Sequence, residues 1–178
     1  MTDRFVVGHR TGPAACAGDP GAVIRRARRG IEMVNLRWGL APGKEDKQPW
    51  TVIRSEGRRF PSHRCLIPGS EFFVSTSTGK GRRKWRFTLM SGDFFYFAGI
   101  WRPRIGDWPS AYAALTVAAN PDVEPYEGRQ TAVILRPSRM AWLDLTQPEE
   151  ALLKPLPART FHVEVEDGPT VMQPALAW

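Results

Sequence analysis

The chain has 178 residues, 42% apolar and 24% charged, which suits one compact domain with a buried core and excludes a wholly disordered polypeptide. Lys and Arg number 25 against 18 Asp and Glu, giving a net charge of +7 and a pI near 10.0; this balance fits a phosphate-rich partner, most often nucleic acid, and equally an arginine-rich proteome. Two cysteines, Cys16 and Cys65, exclude a disulfide scaffold, and His9, His63 and His162 without CxxC or HxxxH spacing leave no metal site and no cofactor to expect.

In chain order, short apolar runs between turn signals predict strands. They are Phe5–Val7, Ala22–Ile24, Ile31–Leu40, Cys65–Ile67, Glu71–Thr76, Lys84–Met90, Phe94–Trp101, Tyr112–Ala119, Thr131–Leu135 and His162–Glu166. Residues 10–21, rich in Gly, Ala and Pro, and the polar stretch 42–49 read as irregular. Trp85, Phe87 and Leu89 alternate with Lys84, Arg86 and Thr88, the period of a half-buried strand. Phe94–Trp101 is apolar on both faces, as in a central strand or a barrel wall. Turns at 78–81 and 91–93 predict that 71–101 forms a three-stranded meander. Helical signal is thin. Ser138 is placed to cap a short helix with Met140, Trp142 and Leu143. Glu149 and Glu150 open a second, with acids at its positive end, and Pro155 and Pro157 stop it. The expected fold class is α+β, mainly β, a curved mixed or antiparallel sheet or pseudo-barrel with a few short helices.

Phe94–Trp101 is also the longest apolar run, far short of the roughly 20 residues that span a bilayer. The N-terminus carries no apolar h-region. A soluble, cytoplasmic monomer with no membrane partner is expected.

Several segments, in order, resemble the SOS response-associated peptidase (SRAP) family. Residues 37–43, RWGLAPG, are similar to its R-W-G-L-x-P loop, and Arg54-Ser55-Glu56 stand at its N-A-R-x-E motif. Residues 64–68, RCLIP, equal a family strand start; residues 98–101, AGIW, match A-G-L-W; residues 116–120, TVAAN, match T-x-x-A-N. Arg129 to Leu135 resemble H-x-R-x-P-x-x-L, and Asp167-Gly168-Pro169 with Pro174 resemble the C-terminal segment. The resemblance implies a single SRAP-like domain over residues 1–178. It also implies a role in protecting abasic sites in single-stranded DNA. In that chemistry Met1 is removed, and the new N-terminal Cys closes a thiazolidine on the ring-opened sugar. An Asn, a Glu and a His assist, and arginines grip the phosphates.

The reactive positions differ here. The family begins Met-Cys-Gly-Arg-Phe, whereas this chain begins Met1-Thr2-Asp3-Arg4-Phe5. Thr2 therefore replaces the nucleophile, and a hydroxyl attacks far more weakly than a thiol. By the same alignment Val52 replaces the Asn and Val74 the Glu. Glu127 replaces the His, or Gly128 does under a shifted register. Two valines neither move a proton nor hold an amide. The phosphate-gripping positions remain: Arg4, Arg54, Arg58 (or Arg59 by a one-residue shift) and Arg129, with Thr116 at a family DNA-contact position. Lys44 and Glu45 stand where some members carry an aromatic pair.

Trp38 either stacks on a base or fills the core, and strand placement favours the core. Trp50, Trp85, Trp101 and Trp142 read as core, Trp108 as a loop residue, Cys65 as an inert buried thiol. The arginines at 25, 26, 28 and 29 and the cluster 82–84 read as solvated charge or as added phosphate contacts; Asp144 has no evident partner. The leading expectation is single-stranded or abasic DNA binding without crosslinking. One alternative is residual crosslinking or lyase chemistry at the Thr2 amine after Met1 removal, with Glu127 as acid. Another is a protein-interaction module on the same fold.

Overall fold

The computed structural model describes residues 6–8, 17–78 and 81–166. In chain order its strands are β1 (Val6–Gly8), β2 (Pro20–Ala27), β3 (Gly30–Trp38), β4 (Val52–Arg54), β5 (Arg64–Gly69) and β6 (Glu71–Thr78). Then follow β7 (Gly81–Leu89), β8 (Phe95–Arg102), β9 (Ala111–Ala118), β10 (Arg129–Thr131) and β11 (Val133–Ile134). A 3-10 turn (Arg136–Ser138), α1 (Arg139–Leu143), α2 (Glu149–Leu152) and β12 (Phe161–Val165) complete the order. The fold is α+β and mainly β, as expected.

One sheet runs β1-β6-β7-β12. In the other, β9, β3, β2, β5 and β8 close a ring because β8 also pairs with β9. Most pairings are antiparallel, but β3 and β4 both lie parallel to β9. Ring closure brings backbones close at Gly99, where a Cβ would sit 3.0 Å from Ala113 O and from Cys65 Sγ.

The strands of the ring bury both faces, and strict alternation sorts their side chains. Cys65, Ile67, Phe95, Phe97, Tyr112 and Ala114 join Phe72, Val74, Phe87 and Phe161 of the smaller sheet in one apolar cluster. Leu66, Ala98, Ile100, Ala113 and Leu115 point the other way, under Trp142, Leu143 and Leu152 of the two short helices. Apolar burial on this scale is the main stabilising contribution. Burial lifts the Cys65 thiol far above its ordinary range, so it is inert at neutral pH.

Five local expectations are corrected. The meander stops at two strands: β6 pairs with β7, but β8 crosses to β5 and β9 in the other sheet. The stretch Thr131–Leu135 is divided. Its chain changes partner at Ala132, whose N–H donates to Leu115 O while its carbonyl accepts from Ala98 N–H. Ser138 precedes α1 but has helical angles and makes no side-chain cap, because the 3-10 turn already runs into the helix. Trp50 is 40% exposed rather than core, its indole N–H donating to Asp46 Oδ2. Asp144, for its part, has a partner in Arg26. Arg25 pairs with Glu32 at 2.7 Å and lies over Trp101, while Arg28 and Arg29 sit exposed at the β2–β3 hairpin tip.

Asn120 and Asp122 tie the chain after β9 to the start of β12. Asn120 is fully buried; its side-chain amide donates to Pro157 O and to Asp122 Oδ2. Asp122 accepts the N–H groups of Arg159, Thr160 and Phe161 at 2.8–2.9 Å. Asp122→Ala removes the acceptor of all three, and an unfolding free energy lowered by about 1–3 kcal/mol in urea titration is the expected result.

Candidate nucleic-acid interface

Parallel pairing of β4 with β9 sets Val52 opposite Ala114 and Arg54 opposite Thr116. On the other edge of β9, Arg129 pairs with Ala118 and Thr131 with Thr116. Three short backbone segments thus bring Arg54, Thr116 and Arg129 to one place. The loop after β4 adds Glu56. Its carboxylate receives both terminal nitrogens of Arg129, at 3.0 and 2.8 Å, and lies 3.4 Å from Arg54 Nε. It also accepts the Ala118 N–H at 3.1 Å. Arg129 donates further to Thr116 Oγ1 and to the Thr116 carbonyl, the latter at 2.9 Å. The guanidinium of Arg129 is therefore fixed in a planar, two-point clamp, which a lysine would not reproduce. Arg54 is its exposed counterpart, with 68% of its side chain open to solvent.

Glu56 is held down to about 2, first by the hydrogen bond from Arg129. Its folded value lies below the ordinary 4.5, so its stabilising contribution is complete above pH 4.5 and fades as pH falls toward 2. The clamp is thus expected to persist unchanged from pH 5 to 8. A carboxyl-carbon NMR titration placing the Glu56 midpoint near 4.5 instead of near 2 would contradict this. The R-x-E spacing carries this residue in the sequence, but nothing local shows that its partner is Arg129.

Of the other candidate positions, Val52 shares a face of β4 with Arg54, and none of those among the described residues hydrogen-bonds to the Glu56 carboxylate. Val52 packs against, and Val74 belongs to, the apolar cluster shared by the two sheets, with Val74 4% exposed. Glu127 is half-buried before β10 and accepts the N–H of Gly128 at 2.9 Å. Trp38 is buried, its indole N–H donating to Thr51 O at 3.0 Å, which is a packing role. Arg58 is exposed and lines a separate cleft with Ile53, on the opposite face of β4 from Val52 and Arg54. Thr2, Arg4 and Cys16 lie outside the described residues. Among the described residues no group of three or more His, Cys, Asp or Glu is placed to hold a metal ion. None of their helices is long and apolar enough to cross a membrane.

The fold is similar to that of several solved bacterial proteins. One from Bordetella bronchiseptica is 21% identical with TM-score 0.74, the match covering 90% of each chain. A protein from Bacteroides thetaiotaomicron is 19% identical with TM-score 0.67, covering 89% of this chain and 82% of that one. A phage-related protein of Bordetella bronchiseptica is 16% identical with TM-score 0.67, covering 87% and 81%. No curated protein matches the chain. The family model described as SOS response associated peptidase (SRAP) matches residues 14–167. With most of its length accounted for by that model, the chain belongs to the SRAP family.

Proposed function

We propose that the protein binds single-stranded or abasic-site-containing DNA by its phosphates and forms no covalent adduct with it. SRAP membership supports a DNA damage-associated function. The observation that carries the finer reading is a division within one strand and its neighbours. Arg54, Thr116 and Arg129 are brought together around Glu56, whereas Val74 is buried in the apolar cluster and the half-buried Val52 packs against it. Cationic and hydrogen-bonding groups serve phosphate recognition. Aliphatic side chains supply no acid, base or amide to an attacking terminus.

Two measurements test this. Fluorescence anisotropy with a single-stranded oligonucleotide across a salt series is expected to give an affinity that falls steeply with salt. Incubation with abasic-site DNA, with and without borohydride, is expected to leave no adduct on a denaturing gel. Salt-independent binding overturns the phosphate reading. A trapped adduct overturns the non-covalent reading in favour of amine chemistry at the terminus.

A further inference from the structure

On the opposite face of β4, away from Arg54 and Arg129, lies a cleft of about 460 Å³. Leu40, Ile53 and Ile100 form its apolar base, all buried. At its mouth stand Ile105, 62% exposed, and Trp50. Exposed aliphatic and aromatic surface gathered round one concavity marks a binding site. The remaining character of the cleft is cationic. Arg58, Arg59 and Arg102 line it, and no acidic or amide side chain does. Arg59 is already committed to Glu149 and Glu150, at 3.6 and 3.3 Å. Neither Arg58 nor Arg102 has an ion-pair partner among the described residues.

We propose that this cleft docks a short acidic segment of a partner protein, with one bulky apolar side chain seated inside and neighbouring carboxylates on Arg58 and Arg102. The volume suits such a side chain. The guanidiniums of Arg58 and Arg102, which lack ion-pair partners among the described residues, supply charge complementarity for carboxylates. A nucleobase fits less well. Its amino groups would meet a lining whose polar side chains only donate, the arginines and the indole N–H groups of Trp50 and Trp108, the latter two already given to Asp46 Oδ2 and Gly39 O, and an unpaired buried donor is costly. The site is separate from the clamp around Glu56, so the proposal stands independently of the DNA reading.

The test uses the full chain and a fluorescein-labelled peptide of four acidic residues followed by Leu-Phe. Saturable binding is expected, with roughly a tenfold or greater loss for the double variant Arg58→Ala/Arg102→Ala. Ile105→Asp, at an exposed position, is expected to lose binding to a similar degree while its circular dichroism stays unchanged. A peptide with Ala-Ala in place of Leu-Phe and one with lysines in place of the acids are both expected not to bind. Arg54→Ala/Arg129→Ala is expected to bind the peptide as the unaltered chain does. Absence of saturable binding, or binding indifferent to Arg58, Arg102 and Ile105, overturns the proposal. So does displacement of the peptide by a single-stranded oligonucleotide whose own affinity falls in the Arg58/Arg102 variant, which would assign the cleft to nucleic acid.

Discussion

Glu149→Ala is expected to lower the unfolding free energy by about 3–5 kcal/mol, a large share of the roughly 5–15 kcal/mol that holds an ordinary domain folded. Glu149 and Arg64 form a buried ion pair, Oε1 to Nη2 at 3.0 Å, with side-chain exposures of 11% and 4%. Each charge is also otherwise satisfied. Glu149 accepts the Phe60 N–H at 2.9 Å. Arg64 donates to Phe60 O at 2.8 Å and to Trp142 O at 3.3 Å, and its guanidinium lies 4.3 Å from the Trp142 ring centroid. The pair therefore joins β5, the loop before it and both short helices. Removing Glu149 leaves a buried guanidinium without its counter-charge, and that desolvated residue is the source of the large effect. Replacing both partners by leucine is expected to cost less than Glu149→Ala alone, since no orphan charge remains. Urea denaturation of the unaltered chain and the two variants at pH 7 decides it: equal, small effects would show the pair to be energetically idle. The Phe60 N–H, with Arg64 behind it, holds the Glu149 carboxyl below its ordinary range. Its contribution is complete above that range and is lost as acid protonates it, so the stability gap between the unaltered chain and Glu149→Ala is expected to shrink below pH 4.5.

The double variant Arg54→Ala/Arg129→Ala is expected to weaken single-strand binding by about 10–100-fold at low salt and to flatten its salt dependence. Each phosphate neutralised on a single strand contributes about 0.7 to the log–log slope, so removing both arginines lowers the slope by about 1.4. The two arginines are not expected to contribute equally. Arg54 is exposed and meets Glu56 only at 3.4 Å, so its removal chiefly deletes one phosphate partner. Arg129 is the counter-charge of Glu56, so its removal also bares a carboxylate beside the incoming phosphates. Arg129→Ala is therefore expected to weaken binding more than Arg54→Ala. Adding Glu56→Gln to Arg129→Ala is expected to restore part of the affinity, because the repulsive charge is removed. Equal single effects with no rescue would place the strand away from this clamp.

Much of the fold is legible in local pattern. Period-two alternation marks β7, and the unbroken apolar run at 94–101 marks β8 as a wall buried on both faces, because side-chain direction along a strand depends only on sequence parity. The three-residue β4 has no such signal: it is too short to carry a period, and it follows a polar loop. Turn residues at 91–93 announce a reversal but not its destination, so local pattern points β8 to the wrong neighbour. At the candidate site, Arg54, Thr116 and Arg129 stand out by their motifs, and the valines at 52 and 74 by the residues they replace. Glu149 reads in the sequence only as an acid at a helix start; its buried partner lies 85 positions back, beyond any local signal.

The sequence by itself determined composition, charge, strand periodicity and the family motifs, since each is a property of residues or of near neighbours along the chain. Tertiary structure alone decided that Glu56 clamps Arg129, that Arg64 and Glu149 share a buried site, and that Arg58 lines a cleft with Ile53. These are contacts between distant segments, made when β4, β9 and β10 align and the ring closes. Chain order records which side chains exist; only the register of paired strands settles which of them meet.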